Sequence, residues 1–473
     1  MLDELDRDKW TPEAAAHLLN RAGFGGSPSE IAALHKLGLR GAVDLLISGD
    51  EDADLFPPPA ASERVDMSDL YTKAKGLSEE EKQMRKKELQ RIFRDQTLEL
   101  RAWWLNRMRW TSHPAREKAL LFWHGHWATS IEKVKEPFLM WQQNETLRAL
   151  ALGSFRQMAL EISRDPAMMR YLDLGQSKRT NPNENFAREL MELFTLGEGH
   201  YSEKDISESA RAFTGYRVDL ATRQFVFQPR QHDGGQKTFF EKTGNLTGDD
   251  VLGLILSHPQ ASKFLARKIW IYYAGSEPSP ELLDALAAEY RGSDYDTGML
   301  LAKLWKSREF YEPSVVRRQV KSPVQWLVGT CKMLEISLPG AVACNGILQQ
   351  LGQIPFAPPN VKGWDGGRAW ISSATLLLRY NISAYLLSGN ASGLPGLAQG
   401  KMEGGKISLE KIYSGSNSPE EICNAAAARL FQSPLPIPLH EKFVDYLSTH
   451  GTGAAARQDL LHLMMSTPEF QLT

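Results

Sequence analysis

The chain has 473 residues, with 55 Lys and Arg against 57 Asp and Glu for a formal net charge of -2, long enough for two or three domains or for one large helical domain with appendages. The near-neutral balance supplies no global basic field for a nucleic acid or an anionic membrane surface. Three cysteines, Cys331, Cys344 and Cys423, are odd in number and lack CxxC spacing, which argues against a disulfide framework and a cysteine-rich zinc site and leaves them as buried small hydrophobes.

Residues 1–8 are charged and lack the apolar stretch of a signal peptide, and no run of about 18 apolar residues occurs. As it stands the sequence reads as a cytoplasmic protein without a transmembrane segment; a periplasmic or envelope protein trimmed of its export signal would read the same. Residues 14–21 and 29–46 have helical spacing and flank the glycine-rich turn Gly23-Phe24-Gly25-Gly26. Residues 50–64 are acidic, contain Pro57-Pro58-Pro59 and read as a loop. Over 79–109 a long charged helix is predicted. Its apolar residues thicken toward the C-terminal half (Leu98, Leu100, Trp103, Trp104), where it is expected to enter the core. Pro114 opens a helix that leads to His124-Gly125-His126, and further helices are expected over 136–151 and 155–162.

The stretch from Thr180 to Gly197 is the most informative. Asn181 suits an N-cap, Pro182 the first helical position, Glu184 the third position of a capping box and Gly197 the stop. At about 100° per residue, Glu184, Asn185, Arg188, Glu189 and Glu192 share one arc, opposite Phe186, Leu190, Met191, Leu193 and Phe194. Capping accounts for the first of these polar groups and leaves Arg188, Glu189 and Glu192 without a local structural duty. A helix over 202–214 follows, then an alternating stretch that predicts a β-hairpin near 217–228. From 248 onward the pattern is helical again. Residues 281–310 align weakly with 441–470, ending in Glu309-Phe310 and Glu469-Phe470, as two related helix pairs would. The expected fold is therefore mostly α: a main multi-helix domain over 1–390 with one small hairpin, a Gly/Ser-rich linker over 388–405 and a helical C-terminal tail over 406–473.

Five segments together carry a family resemblance. They are Phe122-Trp-His-Gly-His-Trp-Ala-Thr-Ser130, Asn183-Glu-Asn-Phe-Ala-Arg-Glu-Leu-Met-Glu-Leu-Phe-Thr-Leu-Gly197, Ala210-Arg-Ala-Phe-Thr-Gly215, His232-Asp-Gly-Gly-Gln-Lys-Thr238 and Pro358-Pro-Asn-Val-Lys-Gly-Trp364. In this set the chain resembles the bacterial DUF1800 family, from about residue 14 to 380 and more loosely to the end. The resemblance implies a mostly helical fold with no established reaction. It also implies a partner protein of a sulfatase-like family, encoded beside many relatives that look exported; this sequence departs from them in showing no signal.

A metal site needs ligands that converge from different elements, and His with Asp or Glu suits zinc, manganese or iron. His124 and His126 lie about 200° apart on a helix, so they share one ion only if Gly125 ends the helix; otherwise they are imidazoles hydrogen-bonded in an aromatic core. Glu189 and Glu192 would bind a cation as i,i+3 ligands if they face inward, although the Glu-x-x-His pair of di-iron bundles is missing. Otherwise they line a solvated face with Arg188 pairing along it. His232 and Asp233 sit in a glycine-rich loop with Lys237, where a histidine can act as a base or ligand and a lysine can hold an anionic group. The tryptophans of the 358–370 loop either stack on a sugar ring or plug the core. Walker A, Gly-x-Ser-x-Gly, His-Glu-x-x-His and Gly-x-Gly-x-x-Gly motifs are missing.

Three readings follow. The first is a helical enzyme or cofactor-binding protein with a divalent metal, in which His124, His126, Glu189, Glu192 and His232 are ligands and Arg188, Glu189, Glu192, Asp233 and Lys237 form the catalytic set. The second is a non-catalytic binding or scaffold protein acting with a partner, its polar motifs being buried networks. The third is a haem protein. Convergence of His124, Glu189, Glu192 and His232 on an open cavity would favour the first; their separation would favour the second.

Overall fold

A computed structural model describes residues 1–48, 55–66, 77–390, 394 and 407–473. The described chain is mostly helical, and many of its helices carry local start signals. α1 (Pro12–Ala22) and α2 (Pro28–Lys36) begin at Thr11 and Ser27, each followed by Pro at the first helical position; Ser27 and Glu30 close a capping box. The single helix expected over 29–46 is instead α2 and α3 (Gly38–Ser48). The chain breaks at Gly38, whose φ of 71° is the left-handed conformation that glycine adopts without strain.

α4 (Glu79–Trp110) opens on a Ser78–Glu81 capping box, and its last three turns bury Leu100, Trp104, Leu105 and Met108, as the sequence pattern predicts. Beside it run α5 (Pro114–His126), the short α6 (Ile131–Val134) and α7 (Pro137–Leu150). One buried charge network ties the three long helices. Glu117 of α5 accepts from Trp104 Nε1 at 2.8 Å and Arg107 Nε at 2.8 Å on α4, and from Arg148 Nε at 2.7 Å on α7. α8 (Phe155–Ser163) and α9 (Pro166–Tyr171) complete this half.

The hairpin forms as β1 (Tyr216–Val218) and β2 (Phe225–Phe227), with Arg217 opposite Val226. A second hairpin, β3 (Lys237–Phe239) and β4 (Lys242–Gly244), was not expected. Its strands are three residues each, too short for alternation to register, and it is held by α11 (Glu203–Ala212): Glu208 accepts the Thr238 N–H at 2.8 Å.

Helices α12 (Gly248–Ser257), α13 (Pro259–Ala274), α14 (Pro280–Gly292) and α15 (Thr297–Lys306) lead to α16 (Pro323–Met333), α17 (Ala341–Leu351) and α18 (Ser373–Ser388). The segments related in sequence fold alike. α14, α15 and a 3-10 turn at Arg308–Tyr311 correspond to the helices Ile437–His450 and Ala454–Met465 with a turn at Glu469–Gln471, and Phe310 and Phe470 are both buried.

The loop expected at 50–64 is described from 55 onward, and the linker expected over 388–405 lies outside the described residues except 388–390 and 394. The segment after it packs on the rest: Phe431, Leu460, Leu461 and Phe470 belong to the core that includes Leu18 and Trp326. Gln432 donates to the Gly26 carbonyl at 2.6 Å, and Lys321 Nζ donates to the Phe470 carbonyl at 2.8 Å. Among the described residues no helix is long and apolar enough to cross a membrane.

Candidate functional site

The His-Gly-His segment stays helical to His126, so its two imidazoles point to opposite sides of α5. His124 is 1% exposed and accepts the main-chain N–H of Phe356 through Nε2 at 2.9 Å; its ring lies among Trp104, Phe356 and Trp364. An accepting Nε2 puts the proton on Nδ1. Burial drives its pKa down to about 3, so the ring is neutral. His126 has the other tautomer: its Nε2–H donates to the Phe194 carbonyl at 3.0 Å, and burial again holds it neutral. Both Nε2 atoms are thereby used, and neither ring presents one to a haem iron.

Between them, Gly125 is met by the 358–364 loop. A Cβ on Gly363, whose φ is 84°, would stand 2.2 Å from the Gly125 carbonyl oxygen, and the Trp364 ring covers the place where a Gly125 Cβ would project. Trp364 thus covers this joint, and Trp370 is buried as well.

The helix that follows Thr180 departs from its expected geometry at both ends. Asn183, not Asn181, is the N-cap, its side chain accepting the Asn185 N–H at 2.9 Å. Asn181 is instead paired with Lys178 across a tight turn. α10 (Glu184–Glu189) then widens into a π-helix, Leu190–Thr195, with Gly197 at φ 83° beyond it. The wide turn frees carbonyls that outside side chains collect: Lys268 Nζ reaches Leu193 O at 3.3 Å, His126 reaches Phe194 O, and Gln260 Nε2 reaches Leu196 O at 3.2 Å. Widening also breaks the single polar arc read from a regular period. Arg188 turns to Glu203 of α11 in a two-pronged ion pair at 2.9 and 2.8 Å. Glu192 accepts from the Tyr201 hydroxyl at 3.2 Å. Glu189 has no hydrogen-bond partner among the described residues. Half-burial first, then the neighbouring Glu192, raise its pKa, while Lys362 and Arg188 pull it down.

The 232–237 loop closes on itself. His232 Nδ1 lies 2.9 Å from the Thr214 carbonyl, and Asp233 is gripped by Arg211 at 2.7 and 3.3 Å, which lowers the pKa of its carboxyl. Lys237 is buried and turns its ammonium to the carbonyls of Asp233 and Gly235. Arg211 and Thr214, from the 210–215 motif, are the partners that sequence reasoning left unassigned. The signal for them was the recurrence of two polar motifs beside one hairpin.

The predicted site residues thus fall into three groups. His124 and His126 bind main chain on opposite sides of α5, Glu189 and Glu192 stay neighbours on α10 and its π-turn, and His232, Asp233 and Lys237 are tied to Thr214, to Arg211 and to loop carbonyls. Among the described residues, no three His, Cys, Asp or Glu side chains stand together as a metal site. The five-ligand metal set expected from the sequence is therefore not assembled. A helical His-Gly-His sends its imidazoles apart, and each finds a main-chain partner.

The large open volume lies elsewhere. A cleft of about 1920 Å³ runs along α4 from Lys82 to Arg101, closed on its other side by α6, the β1–β2 turn and part of α17. Among the described lining residues nine are Lys or Arg and four are Asp or Glu, so the lining is locally basic in a chain of net charge -2. Glu136 is buried between Arg170 at 3.0 Å and Arg223 at 2.7 Å. Arg101 donates to the Pro355 carbonyl and to Asn345 Oδ1 at 3.0 and 2.8 Å, and burial brings its pKa down to about 10.

No curated protein and no solved structure matches the chain. A family model described as protein of unknown function DUF1800 matches residues 17–472. That match spans nearly the whole chain and takes in the His-Gly-His clamp, the π-turned helix and the cleft alike; the chain belongs to the DUF1800 family.

Proposed function

We propose that the protein is a non-catalytic helical binding protein that engages a partner through the α4 cleft, with its polar motifs serving as clamps between elements. One observation carries this reading. His124, His126 and Lys237 are spent on main-chain groups, Arg188 on Glu203 and Asp233 on Arg211, whereas the large cleft is open and lined by more cationic than acidic side chains. A photoreactive residue in place of Gln90, on the cleft floor, tests it in the cells that make the protein. A discrete cross-linked adduct from position 90, and none from position 192, supports the reading; adducts from 192 alone would refute it.

Glu189 favours a second reading, an acid–base or cation-binding patch. A half-buried carboxyl with a raised pKa, beside a second carboxyl, a tyrosine hydroxyl and Lys362, is suited to proton transfer. Glu189 and Glu192 would then be the acid–base pair or, with water, the ligands of a divalent cation, and Arg188 would be the cation that orients them. Calorimetric titration with manganese and zinc, repeated on Glu189→Gln, tests it: binding that vanishes in the variant supports the patch, and no heat in either protein removes its metal form.

A further inference from the structure

We infer that the α4 cleft takes an amphipathic, acidic helix of a partner protein, an inference that rests on the binding reading above. Between Lys82 and Arg101 the lining residues of α4 fall on one half of its circumference, over a length of about 30 Å. Leu89, Phe93 and Leu98 alternate there with Lys82, Lys86, Arg94 and Arg101. The opposite wall repeats the mixture, with Ile131 and Val134 among Lys133, Lys135, Arg170 and Arg223. Two exposed apolar side chains stand on the rim, Leu220 at 76% and Val342 at 61% exposure. Cations and apolar groups are therefore interleaved along the whole cleft.

That distribution selects among anionic ligands. The cleft exceeds the roughly 300–1,000 Å³ usual for a small molecule. A lipid would place its charge at one end and its chains at the other, which matches no segregation here. A single-stranded nucleic acid would use a row of stacking aromatics, and among the described residues Phe93 is the only aromatic in the lining. A helix with Leu on one face and Glu or Asp flanking it presents both chemistries at every turn, in the helix-in-groove manner. The floor is itself a helix whose main chain is internally bonded, so strand addition finds no free edge along it.

Three of the nine cations, Arg64, Lys86 and Arg101, have no counter-charge among the described residues. Lys133 pairs with Asp173, Lys82 with Glu79, Arg94 with Asp95 and Lys135 with Glu132, and Arg170 and Arg223 share Glu136. Arg64 donates to the Ala221 carbonyl, Arg101 to Pro355 and Asn345, and neither of them nor Lys86 forms an ion pair among the described residues. Acidic side chains on a docked helix would reach these three from one side while its apolar face covers Leu89 and Phe93.

The test uses the full chain and a fluorescein-labelled peptide of about 20 residues, with Leu at helical spacing on one face and Glu on the other, read by fluorescence anisotropy. Saturable binding is expected, weakened about tenfold or more in the double variant Lys86→Glu with Arg94→Glu, both exposed and so compatible with folding. The same loss is expected for a permuted peptide of equal composition whose Leu residues do not share a face. No saturation below about 100 µM, equal affinity for the permuted peptide, or tighter binding of phosphatidylglycerol vesicles or of a single-stranded oligonucleotide would overturn the inference. A lipid or nucleic-acid adduct at position 90 would overturn it while leaving the binding reading in place; no adduct at all would remove both.

Discussion

Gly363 and Gly125 meet backbone to backbone, so close that a Cβ on Gly363 would lie 2.2 Å from the Gly125 carbonyl oxygen. This contact seats the 358–364 loop on α5 and brings Trp364 against His124. Gly363→Ala therefore meets both a steric clash and a φ of 84°. We expect a loss of about 3 kcal/mol or more in urea unfolding, with a changed tryptophan emission spectrum in the native state; an unchanged midpoint would show that the loop is not seated there.

His124→Phe keeps the aromatic packing and removes the acceptor for the Phe356 N–H. The expected cost is about 1–3 kcal/mol, the penalty of one buried unsatisfied donor, with faster hydrogen exchange at the Phe356 amide. A metal ligand would behave differently: its substitution would abolish ion binding and leave that amide alone.

Much of the scaffold was legible in the sequence because its signals are local. Ser78 with Glu81, Ser202 with Asp205, and Pro114 each announce a helix start by chemistry within one turn. The π-turn at Leu190–Thr195 was not legible, since it is stabilised by Lys268, Gln260 and His126, which are distant in sequence. The same holds for the cleft. The charged half of α4 reads as a solvated helix until α6 and the β1–β2 turn are placed opposite it. Among the candidate site residues, His124, His126 and Lys237 hold main-chain groups while Arg188 and Asp233 pair with side chains, and these partners, distant in sequence, are not revealed by a helical period.

Glu117 neutralises a buried junction between two arginines, Arg107 and Arg148. Glu117→Gln removes the charge while roughly preserving shape, leaving both guanidinium groups undercompensated. A destabilisation of about 3–5 kcal/mol is expected by chemical denaturation, and a change below about 1 kcal/mol would show that Glu145 beside Arg148 compensates.

Asp165 caps α9, its Oδ1 accepting the Met168 N–H and Gln143 Nε2 at 2.7 Å each. Burial raises its pKa from 3.8 to about 7. The folded chain therefore holds a proton that the unfolded chain releases. The resulting stability is fully present below about pH 4, is lost as pH rises to about 7 and is absent above, a swing of about 2–4 kcal/mol. Asp165→Asn keeps the cap without the titration. At about pH 8 it should be more stable than the parent by a similar amount, and near pH 4 the two should converge. Parallel pH profiles would contradict this.

The imidazoles of the His-Gly-His segment act as neutral hydrogen-bonding clamps, one on each side of α5. Nitrogen NMR of histidine-labelled protein reads this directly. It should show His124 protonated on Nδ1 and His126 on Nε2, with neither titrating between about pH 5.5 and 8 and neither moving when zinc is added. Ordinary titration near pH 6.5, or a zinc-dependent shift of both resonances, would contradict the clamp and return these residues to the metal reading.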